Sequence, residues 1–160
     1  GGEYTCFLNG NENACTPEMF VRYAQIAALM PVMQFSASPW RVLPEADFQK
    51  VKDALALREK CLPEILKAVE NAKATGEPIA RSMEFVFPGQ GMERVMDQFM
   101  VGDALLVAPV WKQGEVVRSV TLPEGQWRCV GLGETEGDVL NGGRDVVLGE
   151  NDGVVVLRRE

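Results

Sequence analysis

The sequence contains no histidine. Without an imidazole there is no Ser-His-Asp triad, no Cys-His dyad, no histidine-ligated metal and no histidine pH switch. Positive charge is also scarce: 16 Lys and Arg stand against 23 Asp and Glu, for a formal net charge of −7. No basic stripe exists to neutralise phosphates, so nucleic acid is not an expected partner. No apolar run approaches the roughly 18 residues of a transmembrane helix, and no secretory leader is recognisable, so no membrane partner is expected. The four cysteines, Cys6, Cys15, Cys61 and Cys129, form no C-x-x-C pair. No zinc site, other metal or cofactor is therefore expected. Cys61 and Cys129 read as small hydrophobes inside periodic segments. Cys6 and Cys15 could bridge, a matter that only geometry decides. Length is short too. The 160 residues give one domain or two small ones, well below the roughly 250 of a complete eight-stranded α/β barrel. The compartment stays open, with a soluble cytoplasmic chain slightly favoured.

What is present changes character along the chain. Residues 1–15 are rich in Gly and Asn and read as a loop. Thr16-Pro17 reads as a helix start, because Thr accepts a backbone N–H at an N-cap and Pro at the first helical position has none to waste. Phe20, Tyr23, Ala24, Ala27 and Ala28 then recur at helical spacing up to Pro31. Val32 to Phe35 is an apolar run of strand length, or the buried end of a helix. Ser36 to Trp40 reads as a loop. From Ala46 to Thr75 the period is helical again, with Pro63 expected to kink it or split it in two. Gly76 is the stop.

After Pro78 the period becomes two. Met83, Phe85 and Phe87 alternate with more polar neighbours, and Ala104–Val110 is continuously apolar. Further strand candidates follow at Val116–Leu122, Trp127–Val130, Val146–Leu148 and Val154–Leu157, punctuated by Gly-containing turns at about ten-residue spacing. This pattern predicts an antiparallel sandwich. Helices first and strands second predict two pieces, residues 1–77 and 78–160.

Few residues invite a chemical reading. Gly89-Gln90-Gly91 lacks the Lys-Ser/Thr and the helix of a phosphate loop and reads as a turn. Asn141-Gly142-Gly143 reads as a hairpin turn. Asn9-Gly10-Asn11 lacks the acidic spacing of a calcium loop. Asp97 and Asp103 flank apolar runs, where a carboxylate usually orients a strand end.

Four stretches together resemble glycoside hydrolase family 31. They are Phe20-Val21-Arg22-Tyr23-Ala24-Gln25 through Met30-Pro31-Val32-Met33-Gln34-Phe35, Leu57-Arg58-Glu59-Lys60-Cys61-Leu62-Pro63, Gly76-Glu77-Pro78-Ile79, and Asp97-Gln98-Phe99-Met100-Val101-Gly102-Asp103-Ala104-Leu105-Leu106-Val107-Ala108-Pro109-Val110. The last is the most specific. The resemblance is to the C-terminal part of such enzymes, which are retaining α-glycosidases. It implies an α/β piece, the C-terminal remnant of a (β/α)8 barrel over residues 1–77, followed by an antiparallel β-sandwich over 78–160. Residues 16–30 would be the seventh barrel helix, 32–36 the eighth strand and 46–75 the eighth-helix region, while the distal β-domain of many members has no counterpart.

The two catalytic carboxylates of the family pattern precede Gly1, so no catalytic residue is assigned to this chain. The remaining sugar contacts implied are Gly2 and Tyr4 after strand seven, and Gln34, Ser36 and Trp40 after strand eight. Many relatives carry Arg-x-His where this chain has Gln34-Phe35-Ser36, and a serine hydroxyl has shorter reach and no cationic form. The expected partner is an oligosaccharide or glycoside, bound together with the rest of a parent chain. The alternative is a non-catalytic sandwich that binds carbohydrate or docks on another domain. Exposed apolar surface from Phe20 to Phe35, and self-association through it, are also expected.

Overall fold

A computed structural model of the chain describes residues 15–131, 136–148 and 153–160. The first helix, α1 (Pro17–Ala27), starts where its cap residues place it: Thr16 Oγ1 accepts from the Met19 N–H at 3.2 Å, with Pro17 in the first turn. Phe20, Val21 and Ala24 form its buried face and pack on Val51. The run Val32–Phe35 belongs to no strand. Met33 and Phe35 nevertheless turn inward onto that cluster, and the Phe35 ring lies parallel to Phe20 at 6.1 Å between centroids. Gln34 and Ser36 face outward. The segment therefore has the alternation of a strand without a strand partner among the described residues. The expected apolar exposure from Phe20 to Phe35 is corrected in part: Phe20 and Val21 are buried, while Val32 and Tyr23 are exposed.

A short helix α2 (Pro39–Val42) leads to α3 (Glu45–Thr75), which closes on Gly76 in the left-handed conformation at φ 79°. The expected division at Pro63 does not occur, and α3 is one helix of 31 residues. Pro63 and Glu59, whose carbonyl loses its partner, both lie on the exposed side, where water replaces the missing bond. The opposite face buries Leu57, Cys61, Ile65 and Ala68. Burial pushes the Cys61 thiol up to about 11, so it stays neutral.

The sheets comprise β1 (Ala80–Ser82), β2 (Phe99–Val101), β3 (Leu105–Ala108), β4 (Arg118–Leu122), β5 (Gln126–Cys129), β6 (Val139–Asn141), β7 (Arg144–Leu148) and β8 (Val155–Arg159). A six-stranded sheet runs β1-β2-β3-β8-β5-β6, a two-stranded sheet pairs β4 with β7, and every pairing is antiparallel. The expected strand over Met83–Phe87 is instead a one-turn helix α4 (Met83–Val86). Ser82 Oγ caps it at the Phe85 N–H, and the i, i+4 pair Met83 and Phe87 is buried on one face. Val116 and Val117 precede β4 and are exposed.

The larger sheet is covered on both faces, which explains the unbroken apolar run at its centre. Leu106, Ala108, Val155 and Leu157 face the smaller sheet, packing with Trp127, Leu122 and Phe87. Leu105, Val107 and Val156 face α3, packing with Leu57, Cys61 and Ile65. The order of layers is thus helix, six-stranded sheet, two-stranded sheet. Asn141-Gly142-Gly143 is not a hairpin turn, because β6 pairs with β5 and β7 with β4. It is a corner between sheets, stacked on the Pro123–Gly125 corner by bonds from Gly142 N to Gly125 O (2.8 Å) and from Gly143 N to Leu122 O (2.9 Å).

Candidate functional site

The most family-specific motif proves to be architectural. Gln98 is 5% exposed. Its amide donates to Thr121 O at 2.7 Å, and its carbonyl accepts from Thr121 N at 3.0 Å. A side chain thus pairs with β4 as another strand would, joining the larger sheet to the smaller. Beside it, buried Arg118 pairs with the Asp97 carboxylate at 2.8 Å and donates to the carbonyls of Asp97 (2.7 Å), Pro109 (3.1 Å) and Ser119. At the far end of β2, buried Arg81 holds Asp103 at 2.5 Å, Glu77 at 3.0 Å and Pro78 O at 2.7 Å. Asp97 and Asp103 are therefore committed to arginines, partners that the sequence reading did not name.

A cleft of about 500 Å³ opens between α1 and the loop after β3, lined by Met19, Tyr23, Ile26 and Trp111 around Glu18 and Arg22. Glu18 is the one carboxylate among the described residues that line it. Glu18 Oε1 accepts from Gly114 N at 2.8 Å and from Arg22 Nη2 and Nε at 2.6 and 3.0 Å. The Gly114 N–H, then the Arg22 hydrogen bonds, hold this carboxyl below its usual range. A group stabilised as the anion is a poor general acid, and no second carboxylate lines the cleft among the described residues.

Of the residues singled out from the sequence, Gln34 and Ser36 lie on the outward side of the unpaired segment, and Trp40 on α2 is 67% exposed. Gly2, Tyr4 and Cys6 lie outside the described residues. No group of three or more Cys, Asp or Glu able to hold a metal occurs among the described residues. No helix among them is long and apolar enough to cross a membrane.

Sequence reasoning missed one feature beside this segment. Arg58 on α3 donates through Nη1 to Ala28 O (2.7 Å) and Met30 O (2.6 Å), and through Nη2 to Pro31 O (3.1 Å). Its signals in the sequence are its place in the family-like stretch Leu57–Pro63 and a charge next to Leu57 in a helical period. The carbonyl partners, about thirty positions earlier, are invisible there.

Comparison with known proteins places this architecture. The profile of the "Glycosyl hydrolase family 31 C-terminal domain" matches residues 76–148. The myogenesis-regulating glycosidase of Mus musculus is 39% identical over 112 residues, covering 69% of this chain and 16% of that protein. The alpha-glucosidase of Saccharolobus solfataricus is 30% identical over 148 residues, covering 88% of this chain and 20% of that protein. A GH31 alpha-xylosidase from a soil metagenome, solved with xylose, superposes with a TM-score of 0.77 and 28% identity, over 90% of this chain and 25% of that one. Most of the sandwich thus matches the C-terminal domain of this family. The chain belongs to glycoside hydrolase family 31, and it spans a quarter or less of the length of these relatives.

Proposed function

We propose that the chain is the C-terminal part of a retaining α-glycoside hydrolase that cleaves O-glycosyl bonds of α-linked sugars, with both catalytic carboxylates supplied from outside these residues. The match of residues 76–148 to the family's C-terminal domain carries this reading. Retaining hydrolysis needs a nucleophile and an acid/base about 5–5.5 Å apart. The commitment of Glu18, Asp97 and Asp103 to arginines agrees with chemistry seated elsewhere.

Residues 1–77 are, in this reading, the last βα units of a (β/α)8 barrel, with α1 and α3 as helices seven and eight and residues 32–36 as strand eight. Residues 78–160 are the proximal sandwich. Two observations support it. Residues 32–36 alternate like a strand but pair with no strand among the described residues. Helix α3 also bears an outer, exposed apolar stripe of Leu55, Leu62 and Leu66, about a third of a turn from the face that meets the sheet. A helix apolar on two sides is built to lie between two partners. The shared core of α3 and the larger sheet would then bind the barrel end firmly to the sandwich.

In the parent enzyme, Gly2, Tyr4, Gln34, Ser36 and Trp40 would line the sugar subsite. Gln34 supplies an amide donor and acceptor, Ser36 a short hydroxyl in place of the imidazole of many relatives, and Trp40 an aromatic face. Without the rest of the barrel, the outer stripe and Val32 are open to water, and self-association through them is expected. The test is an assay of the chain and of its parent on aryl α-glycosides. The parent should turn over and the chain alone should not; turnover by the chain alone would overturn the proposal. The groove of about 420 Å³ beside Gln90, Glu124, Arg144 and Asp145 is where the alternative, a carbohydrate-binding sandwich, would act. Tight oligosaccharide binding by the chain alone would favour that alternative.

A further inference from the structure

We infer that Arg58 is a positioning residue for the sugar-facing segment 32–36, an inference that rests on the reading of the parent as an α-glycosidase. The last carbonyls of a helix lack intrahelical partners and carry the negative end of its dipole. Just past α1, the carbonyls of its C-cap residue Ala28, and of Met30 and Pro31 in the turn that follows, converge on one guanidinium. That guanidinium is itself held on α3, between Leu57 and Cys61, which are buried against the larger sheet. Planarity lets arginine serve three acceptors with one rigid group, which a lysine ammonium on a flexible stem does less well.

The position of the anchor matters more than its strength. Pro31 is the last residue before segment 32–36, so Arg58 fixes the point at which the chain enters it. The other end of the segment is fixed by Phe35 lying parallel to Phe20 at 6.1 Å. Only three residues lie between these anchors, and strict alternation turns Gln34 outward, with Ser36 outward just beyond Phe35. Neighbouring strands would set the depth of an ordinary barrel strand through its hydrogen bonds. Here Arg58 and the ring stack act beside such bonds and fix the two ends of the segment. Movement of the entry point would shift the Gln34 amide and the Ser36 hydroxyl together relative to a bound sugar, with no change in either side chain.

The experiment uses the parent enzyme carrying Arg58→Met, Arg58→Lys and Gln34→Ala. Arg58→Met keeps the apolar stem and removes every donor. The expected result is a rise in KM for an aryl α-glycoside of about tenfold, the equivalent of one lost hydrogen bond. KM should rise more than kcat falls, Arg58→Lys should recover part of the loss, and amide exchange in residues 32–36 should quicken. The effects of Arg58→Met and Gln34→Ala should be less than additive when combined, because one acts through the other. If Arg58→Met does not fold, the Arg58→Lys and Gln34→Ala combination gives the same reading. Normal wild-type turnover with an unshifted KM in a folded Arg58→Met enzyme, or full additivity with Gln34→Ala, would overturn the positioning role alone. A wild-type parent without turnover would overturn the sugar role together with the reading it rests on.

Discussion

Gln98 offers a sharp test of the idea that the family motif holds two sheets together. Replacement by Met keeps the length and loses both hydrogen bonds, so Thr121 N and Thr121 O are left without partners between the sheets. Each orphaned buried backbone group costs about 1–3 kcal/mol. Greater apolar burial by Met returns roughly 1 kcal/mol, leaving a net loss of about 3 kcal/mol. For a chain of this size that lowers Tm by about 6–12 °C. Gln98→Glu separates the hydrogen bonds from packing, since it changes one atom. Its carboxylate still accepts from Thr121 N but faces Thr121 O with a charge and no donor. Burial and that carbonyl raise the folded pKa of the new group above the unfolded value of about 4.3. The deficit is therefore complete above the folded pKa and shrinks as pH falls toward the unfolded one, because the protonated group donates to Thr121 O. Thermal melts of both variants beside the wild type, from about pH 7 down to about pH 4, check this. A Gln98→Met Tm within about 2 °C of wild type, or a Gln98→Glu deficit that does not vary with pH, would refute the reasoning.

Three further outcomes follow from the same geometry. Pro63→Ala restores a helix bond on the exposed side of α3 and should stabilise the chain by about 2 kcal/mol, the helix gain of roughly 3 less about 1 for a looser unfolded state; a lowered Tm would count against a continuous α3. Gly142→Ala places a Cβ 1.8 Å from Pro123 O, a backbone atom of the stacked corner, so the two-stranded sheet should fail to assemble, seen as loss of near-ultraviolet circular dichroism. The depressed carboxyl of Glu18 contributes stability above its unfolded pKa of about 4.5, lost as pH falls through the lower folded value; Glu18→Gln should therefore flatten acid unfolding below that point, and parallel pH curves for the two proteins would be inconsistent with the contact to Gly114.

Much of this protein was legible in the one-dimensional pattern. Thr16-Pro17 and Gly76 mark helix limits because cap and dihedral preferences act within a few residues. The change of period at Pro78 divides helices from strands because side-chain direction follows backbone geometry. Other features depended on partners distant in sequence. Ser82 as a cap converted an apparent strand into α4. Residues 32–35 had a strand's alternation but no strand partner among the described residues. Asn141-Gly142-Gly143 had the composition of a hairpin turn, yet its flanking strands pair in different sheets.

The candidate site divides in the same way. The sequence by itself determined the family, through Asp97-Gln98-Phe99 and the stretch that follows, and it determined which mechanisms the missing histidine removes. Only the tertiary structure decided that Gln98 and Asp97 bind the sheets together, that Glu18 is held as an anion by Gly114 and Arg22, and that Arg58 grips the end of α1. The physical reason is range. Caps, turns and periodicity are set by neighbours along the chain, whereas each of these contacts, the Glu18–Arg22 pair excepted, spans about twenty to a hundred residues and exists only once the layers have packed.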